Sequence, residues 1–146
     1  MSANSLAWLL AAGPSGVYRM TGGAGAARLA SLARLKRLKA FRVNCAHAHS
    51  KRTFLSALAR GLGFPRYFGL GWDALADCLT DFAWAPAAGY VILLSGLQGL
   101  MQRDYLMALD VLEEAAAFWE DNGVSFYVLL VGAPCRYADL PVVTAG

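Results

Sequence analysis

The sequence predicts an α/β fold whose strands run mostly parallel, and three observations carry that expectation. Short runs rich in β-branched and aromatic residues alternate with longer stretches of helical periodicity, the order that crossover units produce. The run Tyr90–Ser95 (YVILLS) is apolar throughout, as a strand covered on both faces must be. The stretch Arg103–Asp121 repeats its apolar residues at helical spacing and leads into a second such run, Val124–Val131, so a right-handed crossover joins the two.

Each element follows from its residues. The N-terminal MSANSLAWLLAAGP has a short apolar patch with no basic residue before it, which reads as a small amphipathic helix rather than a secretory signal. Gly16–Thr21 (GVYRMT) is a strand, and GGAGAA is a turn into a basic helix over 26–39 with Leu29, Leu32, Leu35 and Leu38 on its apolar side. A second strand covers 40–45. Ser50 is an N-cap for a helix running to Leu62, with Phe54, Leu55, Leu58 and Leu62 inward, and Gly61, Gly63 and Pro65 end it. After a loop, a helix over 71–82 turns Trp72, Leu75, Leu79 and Phe82 inward and AWAPAAG breaks the chain. Asn122-Gly123 stops the long helix, and the tail from Gly132 is irregular. No internal repeat or low-complexity tract interrupts this order.

Bulk properties narrow the classes. A chain of 146 residues is long enough for one domain with a core that needs no metal or disulfide staple. It is 58% hydrophobic, yet no stretch approaches the ~20 apolar residues that span a bilayer. Cys45, Cys78 and Cys135 are odd in number and scattered, which argues for a reducing compartment and a cytoplasmic protein. The net charge of +3 hides a polarity: residues 1–60 hold ten Lys or Arg and no acid, whereas residues 61–146 hold three Arg and all ten acids. One part attracts polyanions or a membrane surface, the other a basic protein, unless the two surfaces complement each other within the fold.

The residue pattern that most demands a partner is Asp73, Asp77 and Asp81. At four-residue spacing they stack along one helical face, where each like-charged pair costs roughly 0.2–0.5 kcal/mol. Asp73 sits in the first turn, where the helix dipole favours an anion, but Asp77 and Asp81 gain nothing there. Carboxylates from a single helix rarely enclose Mg²⁺ or Ca²⁺, and no second cluster of ligands accompanies them, so no metal or cofactor is expected. Tyr67, Phe68 and Trp72 stand beside the ridge, and aromatics beside charge are typical of protein-binding surfaces. A solvated acidic face is the competing explanation.

Three other constellations carry less. Cys45, His47 and His49 alternate after a strand end, but no fourth ligand or orienting acid completes a metal site or a nucleophilic pair. The GGAGAA turn sits where a dinucleotide motif would, yet Arg28 takes the third glycine position and no acid follows at the required distance. The basic set Arg28, Arg34, Lys36, Arg37, Lys39 and Arg42 lacks interleaved aromatics and any nucleic-acid motif, and reads first as a solvated helix face.

Phe64–Phe82 resembles the signature of the barstar family of intracellular ribonuclease inhibitors. Pro65, the pair Tyr67-Phe68, Gly69, the run Trp72-Asp73-Ala74-Leu75 and the run Asp77-Cys78-Leu79-Thr80 carry the resemblance, with looser agreement over Ala40–Val131. It divides the chain into an extension over 1–39 like that of longer bacterial relatives, a family core over 40–131 and a tail over 132–146. The fold implied is three parallel core strands plus an extra N-terminal strand, covered by helices. The function implied is non-enzymatic: a cytoplasmic inhibitor, of antitoxin or immunity type, whose loop and acidic helix plug the active site of a basic ribonuclease or nuclease toxin. By position, Asp77 would stand in for an RNA phosphate and meet the nuclease's catalytic Arg and His, Asp73 would pair with a basic residue nearby, Tyr67 would give an aromatic contact, and Thr80 would lie at the edge of the patch. Phe68, Gly69, Gly71, Trp72, Ala76 and Asp81 complete the expected partner-binding face. The chain departs from the pattern where Gly71 replaces an Asn, Ala76 a Trp and Asp81 a Gly, and where the late-helix acid falls at Phe118, with Glu114 and Glu120 close by. A nucleic-acid- or anion-binding module built on the basic half is the alternative function.

Overall fold

The structure is a computed structural model that describes residues 4–21, 25–65, 69, 71–132 and 139–145. Among these residues the chain order is β1 (Asn4–Ser5), α1 (Leu6–Ala12), β2 (Gly16–Thr21), α2 (Gly25–Leu35), β3 (Lys39–Asn44), α3 (Lys51–Leu62), α4 (Trp72–Leu79), β4 (Gly89–Ser95), α5 (Gln102–Asp121), β5 (Ser125–Val131) and β6 (Val142–Thr144). The strands form one parallel sheet in the order β1-β6-β2-β5-β4-β3. The α/β class with a parallel sheet is as the sequence predicts. The strand count is not: six strands stand where four were expected, because β1 and β6 join beside β2. The tail is therefore not wholly irregular, since Val142–Thr144 slots between β1 and β2.

Side chains alternate across the sheet with the period of two that strands impose. Tyr90, Ile92 and Leu94 of β4 and Phe126, Val128 and Leu130 of β5 point to one face, where they meet Phe54, Leu58, Leu75, Leu79, Leu109 and Leu112 from α3, α4 and α5. Val91, Leu93, Tyr127 and Leu129 point to the other, where Leu6, Leu9 and Leu10 of α1 and Leu29 and Ala33 of α2 cover them. Both faces of β4 are thus dry, which explains its unbroken apolar run.

The helix ends show how local chemistry sets the frame. Ser50 caps α3 as expected, and Thr53 completes a capping box with it. α2 stops at Leu35 rather than near Lys39, because Arg37 takes a left-handed conformation (φ 60°) and the Leu38 N–H closes back on the Ala33 carbonyl at 2.9 Å. Leu38 therefore packs from the linker and not from the helix. Among the described residues no helix is long and apolar enough to cross a membrane.

Candidate protein-binding site

α4 is eight residues long, and its composition explains why it stands where it does. Leu75, Cys78 and Leu79 are buried against the core, while Asp73 and Asp77 face out on the opposite side. Gly71 is the N-cap and contributes no side-chain bond; its backbone is extended and a Cβ there would meet open space. The start of α4 is thus capped by no side chain, and Asp73 in the first turn supplies the favourable charge.

The end of α4 corrects the sequence reading. The helix finishes at Leu79 instead of continuing to Phe82, so Asp81 is not the third step of a helical ridge. Thr80 terminates it: the hydroxyl donates to the Ala76 carbonyl at 2.9 Å and to the Asp77 carbonyl at 3.3 Å. Phe82 then takes a left-handed φ of 51° and drives its ring into the core. It sits among Phe41, Trp84, Tyr90, Trp119 and Phe126, with centroids 4.5–6.4 Å away. This aromatic nest outweighs the cost of the backbone, which for a non-glycine residue is about 1–2 kcal/mol. Asp81 lies on the turn, exposed, with its carboxylate accepting from the Ala83 N–H at 3.3 Å.

Two indole donors fix the surroundings. Trp119 of α5 donates to the Leu79 carbonyl at 2.7 Å, tying the end of α4 to the long helix. Trp84 donates to the Leu62 carbonyl at 3.2 Å, tying the following turn to α3. Trp72 is half-buried, tilted against Phe54, with the Lys51 ammonium 5.8 Å above its ring. Its role is therefore shared between packing and surface. Ala76 also packs partly against the core, and Gly69 is exposed. Tyr67 and Phe68 lie outside the described residues.

The electrostatics are one-sided. Among the described residues no Lys or Arg pairs with Asp73, Asp77 or Asp81; the ion pair present is Arg103 with Asp104, at the start of α5. Burial pushes the Cys78 thiol up, and the neighbouring Asp81 and Asp77 carboxylates add to the shift, so both acids act on the same spot. Phe118, where the family acid would fall, is 42% exposed and edge-on to Trp119, so an apolar ring stands at that position. Glu114 and Glu120 are exposed on the same helix. Such a surface holds carboxylates at fixed positions on a short, firmly anchored helix. It has the means to receive cations.

The remaining sequence candidates disperse. Cys45 is buried, with its thiol pushed up to about 11 by burial, whereas His47 and His49 are exposed. The alternation after β3 therefore does not gather three ligands at one point. One feature escaped the sequence entirely: a cleft of about 550 Å³ between α5 and the start of β2, with Glu113, Glu120, Asp121 and Asp139 on its walls. Its residues come from three distant parts of the chain, so no local signal reveals it.

The family model of barstar, the barnase inhibitor, matches residues 38–131, well over half of the chain. Among curated proteins none matches. Two solved structures share the fold: the ORC2 protein of Aeropyrum pernix and Cdc6p of Pyrobaculum aerophilum. The first is 20% identical, with a TM-score of 0.50 over 90% of this chain and 39% of that one. The second is 15% identical, with a TM-score of 0.56 over 93% of this chain and 41% of that one. This chain thus spans about two-fifths of their length, and at these identities the likeness is one of fold alone. The family match is of a different kind, and the chain belongs to the barstar family.

Proposed function

We propose, with membership of the barstar family as the premise, that this protein binds a basic ribonuclease or nuclease-type toxin and blocks its active site with α4 and the loop before it. One observation carries the reading: Asp73 and Asp77 stand on the exposed side of a helix whose other side is locked into the core, and no cation of the described chain neutralises them. A carboxylate is costly to bury unless paired, and a cluster of catalytic Arg, Lys and His side chains is a suitable pair. Asp77 takes the central role, standing where an RNA phosphate would bind. Asp73 and Asp81 pair with cations around it, Trp72 and the loop aromatics supply apolar contact, and Thr80 holds the helix end in place. The partner is a protein, and the family is one of inhibitors rather than enzymes.

The test is a titration of purified small basic ribonucleases with the wild-type protein and with Asp77→Ala, read by calorimetry and by residual RNA cleavage. Truncating one member of a buried interfacial charge pair costs roughly 2–5 kcal/mol or more, and the type complex of this same family is the measured example, with couplings of about 1.5–7 kcal/mol for close charge pairs. We expect a loss of that size with an unchanged circular dichroism spectrum, and an association rate that falls as salt rises. Equal binding by the two proteins would remove α4 from the interface.

A further inference from the structure

All ten Lys and Arg side chains of residues 1–60 and all ten carboxylates of the chain fall among the described residues, yet none of these ten cations pairs with a carboxylate there; the ion pair among the described residues is Arg103 with Asp104. The basic block is therefore not a counterweight consumed inside the fold. Much of it gathers around one edge of the sheet. β3 is hydrogen-bonded to β4 on one side and open on the other, with α2 over one sheet face and α3 over the opposite one. Arg42 stands exposed on that edge strand. Along α3, Arg52, Ser56 and Arg60 recur every fourth residue and so form one ridge.

At the carboxyl end of β3 this ridge meets a groove of about 380 Å³, lined by Asn44, His47, Thr53, Ser56 and Arg60 and by no carboxylate. The carboxyl end of the strands is the side on which parallel α/β sheets generally bind ligands. Two glycines allow close approaches at residues adjoining the groove's lining in sequence. Gly61 lets α3 approach β3 so closely that a Cβ would lie 2.6 Å from a Val43 methyl, and Gly96 (φ 73°) leaves room for the Ala46 backbone, 2.6 Å from where its Cβ would stand. Thr53 spends its hydroxyl on the α3 cap, but Ser56, Arg60 and His47 give no side-chain hydrogen bond within the described chain. Near the amino end of the same strand, Arg37 occupies a left-handed position that glycine would fill at lower cost.

We propose that this edge is a binding track for single-stranded nucleic acid, with one phosphate seated in the groove between His47, Ser56 and Arg60 and its neighbours held by Arg52 and Arg42. Charges on an edge strand also deter strand pairing, but that purpose needs nothing from Arg52 and Arg60 on a neighbouring helix. The cations bend around an edge from one sheet face to the other, a path a flexible strand follows and a flat lipid surface does not. Phe41, the aromatic ring of β3, is partly buried against Phe82, so recognition runs through phosphates and is independent of base sequence. The track is independent of the acidic surface on α4, so the two activities fail separately.

The test is fluorescence anisotropy of a labelled sixteen-nucleotide oligouridylate at 20–200 mM salt, using the full chain. We expect micromolar binding at the lowest salt and a linear fall in log affinity with log salt. Single strands lose about 0.7 of slope per phosphate contact removed, so Arg52→Ala with Arg60→Ala should lower the slope by roughly 1.4 and weaken binding about tenfold or more. Asp77→Ala should bind the oligonucleotide as the wild type does. The proposal is overturned by no binding at 20 mM salt, by an undiminished slope in the double variant, or by capture on phosphatidylserine vesicles without binding to the oligonucleotide. The substituted side chains are exposed, and thermal melting of the double variant within a few degrees of wild type confirms that the fold is not the cause.

Discussion

The two faces of the sheet are covered by different parts of the chain. α3, α4 and α5 lie on one face, and all three fall within the segment that matches the barstar family. α1 and α2 lie on the other, and both precede that segment. Yet the second face is as dry as the first: Leu6, Leu9 and Leu129 are fully buried, as are Leu55, Leu75 and Val128. The difference teaches that the extension is no loose appendage. Without it Val91, Leu93, Tyr127 and Leu129 would face water, an apolar patch of the kind that drives aggregation. The outer surfaces divide less cleanly: α2 carries cations over one face, whereas over the other the basic α3 stands with the acidic α4 and α5.

The most forceful way to break this comparison is to excavate one face at a time. Leu9→Ala and Leu58→Ala each remove a fully buried leucine, one under the extension and one under the family core. Each should cost about 2–5 kcal/mol, the range for large-to-small changes in a packed core. Urea melts followed by tryptophan fluorescence and by circular dichroism should stay coincident in both variants. A separate early transition in Leu9→Ala would mean that α1 and α2 unfold by themselves and that the extension is an independent lid.

A second measurement sharpens the comparison through pH. Cys45 is buried under the α3 face, where desolvation lifts its thiol to about 11. Tyr18 lies under the α1–α2 face; burial raises its hydroxyl first, then the nearby Tyr127 and Glu120 charges. Both folded pKa values are raised, so both groups favour the protonated fold, and their stabilisation is whole below the unfolded pKa and lost as pH rises toward the folded one. For Cys45 that window runs from the ordinary thiol value to about 11, and a shift of this size corresponds to about 3 kcal/mol. Urea midpoints between pH 8 and pH 11 should therefore fall. Cys45→Ala should flatten the earlier part of the fall; Tyr18→Phe should flatten the later part, beyond the ordinary tyrosine value, on top of a loss at every pH from the missing hydrogen bond to the Pro14 carbonyl. A Cys45→Ala variant that loses stability just as steeply would show that the alkaline weakness lies elsewhere.

What the sequence revealed and what it hid divide along the same physical line. Elements with an internal signature were legible: the all-apolar β4 and β5, the Ser50 cap with Phe54, Leu58 and Leu62 on one side of α3, and the outward Asp73 and Asp77. Elements defined by partners elsewhere were not. β6 is three residues long and exists because β1 and β2 flank it. The ends of α2 and α4 depend on left-handed Arg37 and Phe82, residue types that give no warning of that conformation. The second error moved a site residue, since the turn at Phe82 takes Asp81 off the helix and leaves Asp73 and Asp77 as its outward pair. The acidic cleft beside α5 escaped for the same reason, being assembled from Ser15, Glu120 and Asp139 across the whole chain.

The smallest expected effect separates stability from charge at Arg37. Replacing a non-glycine residue at a left-handed helix end with glycine relieves about 1–2 kcal/mol of backbone strain. The glycine gives part of that back, because its unfolded state has more freedom to lose, by roughly 0.5–1 kcal/mol. Arg37→Gly should therefore raise stability by a few tenths to about 1 kcal/mol, read as a higher urea midpoint at unchanged slope. Arg37→Ala keeps the strain and removes the same charge, so it should not stabilise. The pair of variants asks why an arginine stands there at all. If Arg37→Gly melts higher and both variants bind oligouridylate equally weakly, the guanidinium is what the strained position serves. If Arg37→Gly gains no stability, the Leu38 N–H closing onto Ala33 already makes the turn comfortable for any side chain, and the basic edge owes nothing to strain.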